Sequence, residues 1–142
     1  MPFGTRALVL LAIALLLGCR ASEPRAMGNP FPAATEVRLF VNDGYDPKGQ
    51  PIMSSRDGKV LTRSQREAFE ADLRIEPKPE AVAGCFEPHH FFRYFDERGG
   101  QLGEIQVCFC CDGVSVSPGS SVSPGWGELF GANYAAFKRL VE

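Results

Sequence analysis

Four cysteines and both histidines of the chain fall within a stretch of 27 residues, Cys85 to Cys111. It reads Cys-Phe-Glu-Pro-His-His, then Phe-Phe-Arg-Tyr-Phe-Asp, a glycine turn, and Gln-Val-Cys-Phe-Cys-Cys. Thiols and imidazoles at this density support three chemistries. Disulfides need no ligand: Cys85, Cys108, Cys110 and Cys111 are even in number, and a bridge from Cys85 to the second cluster would staple a small core by a few kcal/mol. A metal site is the second: Cys85-x4-His90 with Cys108-x2-Cys111 offers four soft or borderline ligands, suited to zinc or copper(I). The third is enzymatic, with Cys108 and Cys111 as a thiol-disulfide redox pair. Thioredoxin-type pairs open a helix after a strand, whereas Asp112-Gly113 and a Ser/Pro-rich loop follow here.

The elements around these residues are legible from periodicity. His90–Asp96 and Leu102–Phe109 are aromatic or β-branched runs joined by Glu97-Arg-Gly-Gly-Gln101, which predicts an antiparallel hairpin. Strict alternation puts Ile105, Val107 and Phe109 on one face, Cys108 on the other, and His90 on the face opposite Cys108. His89 and His90, adjacent in extended chain, cannot both enter one site. Val37, Leu39 and Val41 alternate with Glu36, Arg38, Phe40 and Asn42 and predict a strand. Thr62 with Gln65 forms a capping box ahead of Ala68, Phe69 and Leu73, predicting a helix near 63–73. Trp126, Leu129, Phe130, Tyr134, Phe137, Leu140 and Val141 recur at helical spacing and predict a second helix near 127–140. With both hairpin faces partly apolar, helices are expected on both. Asp43-Gly-Tyr-Asp-Pro-Lys-Gly49 reads as a turn, lacking the oxygen ligands of a calcium loop. Ser115-Val-Ser-Pro-Gly119 recurs as Ser121-Val-Ser-Pro-Gly125 and reads as a lengthened surface loop.

These elements amount to an α+β fold: a small antiparallel sheet centred on the hairpin, packed with one or two helices, in a single domain over 35–142. At 142 residues and 44% hydrophobic content the chain can bury one modest core. Lys and Arg number 15 against 17 for Asp and Glu, without a basic run, so no nucleic-acid partner is expected. No Ser/His/Asp arrangement, phosphate-cradling loop or carboxylate pair stands out, and the role expected is binding or structural rather than catalytic.

The N-terminus carries an address. Ala7–Leu17 is an apolar run of eleven residues after a single positive charge at Arg6, too short to span a bilayer and suited to a secretory signal. Leu16-Leu17-Gly18-Cys19 resembles the lipobox of bacterial lipoproteins. The resemblance implies a signal peptide over 1–18, lipidation of Cys19, and attachment to a membrane by several acyl chains. Arg20, in place of the Asp associated with inner-membrane retention, implies the periplasmic face of the outer membrane. Residues 19–34, with three prolines over 21–34, are expected to form a flexible tether reaching about 45 Å.

The central stretch also resembles an uncharacterised group of exported bacterial proteins, with a pattern of Cys, aromatic, any, Pro, Arg, His, an aromatic strand ending Tyr-Asp, a Gly turn and Cys-Phe-x-Cys. Cys85, Phe86, Pro88, His90, Asp96, Cys108, Phe109 and Cys111 match it. His89 replaces the Arg, Phe95 the Tyr, and Cys110 fills the variable position. The resemblance implies that Cys85, His90, Cys108 and Cys111 act as one unit, which suits a bound metal.

Overall fold

The computed structural model describes residues 23–79 and 84–142. The expected signal peptide, Cys19 and the first residues of the expected tether lie outside them. Nine strands and two helices form in the described residues, arranged as two antiparallel sheets. The fold is α+β and richer in sheet than the periodicity suggests.

The hairpin is central, as β6 (His90–Phe95) and β7 (Gln101–Cys108). It pairs His90 with Val107, Phe92 with Ile105 and Arg93 with Glu104. On one side β6 pairs with β2 (Glu36–Tyr45), whose far edge holds β3 (Pro51–Met53) and β4 (Lys59–Val60). On the other side β7 pairs with β8 (Gly113–Val116), giving six strands. Two of the turns use one device. Asp46 and Asp96 each accept two backbone N–H groups, from Lys48 and Gln50 and from Arg98 and Gly100, all at 2.8 Å. Gly49 and Gly99 supply the positive φ at 77° and 78°, which a side chain would resist.

Helix α1 (Arg63–Asp72) starts at Thr62 with both halves of the capping box formed. Helix α2 (Tyr134–Val141) starts at Asn133, whose side chain accepts the Ala136 N–H. Both helices cover the same face of the large sheet. Phe69 of α1 stacks on Phe92 at 3.8 Å and meets Phe137 of α2 at 4.7 Å, closing a core with Val37, Leu39, Tyr94, Ile105 and Val107. Each side chain fully buried here contributes roughly 1.5–3 kcal/mol. The opposite face, also expected to carry a helix, is covered by arginines instead. Arg93 lies 4.5 Å over Phe40 while paired to Glu104 at 2.6 Å, and Arg38 lies 5.0 Å over Phe95 while paired to Glu36. Cation–π contact lets flat guanidinium groups shield rings that would otherwise need an apolar cover.

Three further expectations are corrected. The stretch 128–132 is not helical but strand β9 (Glu128–Ala132), paired with β5 (Leu73–Pro77). At Gly131 a Cβ would stand 2.4 Å from the Glu76 carboxyl carbon, so the flexible Glu76 side chain packs over the bare glycine, and glycines disfavour a helix. The chain after the cysteines does not go directly into a loop, because β8 intervenes, and the repeated valines Val116 and Val122 pack against the core. The expected tether is folded from Arg25 onward. Strand β1 (Arg25–Ala26) pairs with β5 and completes a second, three-stranded sheet, while Met27, Phe31 and Ala34 are buried. Three prolines masked these anchors. The domain therefore includes residues ahead of the boundary expected at Thr35.

Phe31 occupies the space above Gly103, where a Cβ would lie 2.2 Å from its ring. Phe31→Ala should cost about 3–5 kcal/mol in urea unfolding. Gly103→Ala should also destabilise, and the double variant should lose less than the sum, because the added methyl fills part of the vacated volume. A Phe31→Ala loss within about 0.5 kcal/mol would contradict this packing.

Candidate functional site

Strand pairing creates the site. Cys108, the last residue of β7, pairs with Gly113, the first of β8, leaving Phe109, Cys110, Cys111 and Asp112 to reverse the chain. Asp112 takes a left-handed conformation with φ 47°, tolerated by Asp better than by most residues. Within so short a turn, side chains separated by two or three residues converge. The sulfur of Cys108 lies 2.8 Å from that of Cys110 and 3.1 Å from that of Cys111. All three lie within 4.8 Å of one another. Cys108 is buried, Cys111 half-buried and Cys110 exposed, and all three are free thiols, as is the exposed Cys85.

Gly113 permits this closure, because a Cβ there would meet the Phe86 ring at 2.7 Å and the Cys111 sulfur at 3.5 Å. Phe86 thus lies against the turn, and Cys85, next to it in the chain, acts on the Cys111 thiol. The two segments meet as their sequence proximity to the hairpin's open end suggests.

The thiols are electrostatically unequal. Burial acts to raise the Cys108 pKa, but S–H donation by Cys110 and Cys111 and N–H donation by Glu87 and Cys110 outweigh it, bringing that thiol down to about 7. Its donors move the other way. Cys111 is pushed up to about 12, first by its hydrogen bond to Cys108, then by burial and the Cys108 charge. Cys110 is raised for the same reasons. Cys108 is therefore the thiol of the cluster most readily ionised, because hydrogen bonds from its two neighbours favour its charged form.

His90 does not join the cluster. Its cross-strand partner is Val107, so it faces away from Cys108, and its ring stands edge-on to Phe109 at 4.9 Å. Burial and then His89 lower its pKa, and its Nδ1 is buried without a hydrogen-bond partner. His89 is bonded through Nδ1 to the Glu87 carbonyl at 3.0 Å. Of the sequence-derived candidates, the structure brings together Cys108, Cys110 and Cys111, places Cys85 beside Cys111, and leaves His90 behind the sheet. Alternation foreshadowed the separation of His90 from Cys108.

Tyr134 and Glu76 carry no signal in the sequence. Tyr134, half-buried at the start of α2, has its phenol raised by burial and then by Glu76, Asp112, Cys111 and Cys108. Glu76 and Phe130 close one side of a half-open cavity of about 520 Å³, and Phe86, Cys111 and Asp112 line it too. Cys111 therefore has access to a partly apolar space. Among the described residues no helix is long and apolar enough to cross a membrane. No protein-family model, curated protein or solved structure matches the chain.

In the metal-free protein, thiolate ultraviolet absorption should show a step near pH 7, from Cys108, with Cys110 ionising above and Cys111 well above the ordinary 9.0. In Cys108→Ser that step should vanish, and the two remaining turn thiols should move back towards the ordinary value. A step near pH 7 that survives in Cys108→Ser would contradict the assignment.

Proposed function

We propose that this chain is a lipid-anchored protein of the bacterial cell envelope, held by Cys19 at the periplasmic face of the outer membrane, whose turn cysteines bind zinc or copper(I). The role is binding rather than catalysis. The observation that carries it is the convergence of the Cys108, Cys110 and Cys111 sulfurs within 4.8 Å. Zinc–sulfur bonds of about 2.3 Å imply sulfur–sulfur separations of roughly 3.8 Å in a tetrahedral site. From 2.8 and 3.1 Å the thiols need to spread by less than about 1 Å, within reach of small side-chain rotations. Three thiolates also suit trigonal copper(I), a soft ion. Cys85, beside Cys111, is the candidate fourth ligand for zinc. His90 takes no part.

Membrane attachment is supported by the lipobox-like Leu16-Leu-Gly-Cys19. The lowered thiol of Cys108 favours one second reading, thiol-disulfide exchange with Cys108 as nucleophile and Cys111 as its partner. Its burial opposes direct attack on an outside disulfide.

Native mass spectrometry of the full-length protein, extracted in detergent from the membrane fraction of the cell envelope and supplied with zinc or copper(I), tests the proposal. One ion per chain is expected, with the turn thiols alkylatable after denaturation and chelation. Loss of four hydrogens with no ion retained would mean two disulfides and would sink the metal site. Because Cys110 and Cys111 start protonated and Cys108 is about half protonated near pH 7, binding there should release at least two protons per ion and tighten as pH rises. Proton release measured by calorimetry in two buffers reports this, and an affinity independent of pH would contradict it.

A further inference from the structure

The other large apolar groups left partly in solvent, Tyr45, Ile52, Val60 and Phe86, are 40–51% exposed, whereas Trp126 is fully exposed. Its position is built rather than loose. Trp126 is the second residue of a tight turn in which Glu128 donates its N–H to the Gly125 carbonyl at 3.1 Å, with Gly127 at φ 77° in third position. That fits a type II turn, and the side chain at its second position stands in solvent. Three further bonds fix it. The Gly125 N–H reaches the Glu128 carboxylate at 2.7 Å, Arg25 reaches the same carboxylate at 2.9 Å, and the Lys78 N–H reaches the Gly127 carbonyl at 2.8 Å.

Arg25 links this turn to the N-terminus. It lies six positions after Cys19, so the intervening chain spans about 20 Å at most. Whatever holds Cys19 therefore holds the Trp126 turn close by. We propose that this turn is a second membrane contact, with the Trp126 indole seated among the headgroups of the bilayer that carries the lipid on Cys19. The inference rests on the lipid-anchor reading above.

An indole combines an apolar body with an N–H donor and favours the membrane–water interface over either bulk phase. Arg25 and Glu128, the one acidic side chain in the turn, neutralise each other, and Lys78, whose backbone N–H bonds the turn, leaves a positive charge nearby for anionic headgroups. With the indole down, the end of the three-stranded sheet at Pro77 and Glu128 faces the membrane. A lipid alone would leave the domain free to tumble about its attachment, and two contacts give it an orientation.

Trp126 is the sole tryptophan of the chain, so its fluorescence reads this contact directly. The full-length lipidated protein is reconstituted into vesicles of phosphatidylethanolamine and phosphatidylglycerol, with and without bromines on the upper acyl chain, and checked by flotation. The expected result is co-flotation, emission at shorter wavelength than for unlipidated C19S without vesicles, and strong quenching by the brominated lipid. Co-flotation with unquenched emission would overturn the inference while leaving the anchor intact, including the case of a shift caused by association between copies. Failure to co-float would overturn the anchor reading, and this inference with it.

Discussion

The pairing of Cys108 with Gly113 leaves four residues in which the chain must reverse, and this constraint gathers the thiols. Strand pairing fixes both ends of the turn, so the three sulfurs have little freedom to separate. Bringing thiols together without a metal crowds polar, polarizable groups into a half-buried space. Lowering the pKa of one of them offsets this. Cys108, the buried member, receives donors from both neighbours and from the backbone of Glu87 and Cys110, which favour its charged form.

That local arrangement depends on the sheet behind it. The turn is positioned because β7 is anchored by Ile105 and Val107 in the aromatic core, and β8 is anchored by its pairing from Gly113 to Val116. On the reverse face, Arg38 and Arg93 shield Phe95 and Phe40, which frees both helices to pack on one side. Helix α2 consequently brings Tyr134 towards the thiols. Site and core are thus two ends of the same strands.

Much of this was legible in the sequence, where local chemistry decided the outcome. The hairpin followed from alternation, α1 from Thr62 and Gln65, and the separation of His90 from Cys108 from the period of two. What escaped was set by distant partners. Strand β9 reads as helix because Leu129, Phe130 and Tyr134 fit a helical stripe, and only its pairing with β5 across more than 50 residues reverses that. Phe31 sits among prolines, and nothing nearby reveals that Gly103 leaves room for it. Strand β8 is a short run opening into the Ser-Pro-Gly repeat, too brief to show a period. Tyr134 and Glu76 come near the site through tertiary packing alone.

X-ray absorption at the metal edge of the zinc- or copper(I)-loaded protein tests the central claim most directly, because it reports the atoms bound rather than the stoichiometry. A site built by the turn from Cys108 to Gly113 predicts a first shell of sulfur, at about 2.3 Å for zinc. A first shell with nitrogen at about 2.0–2.1 Å would place a histidine on the metal and contradict the account.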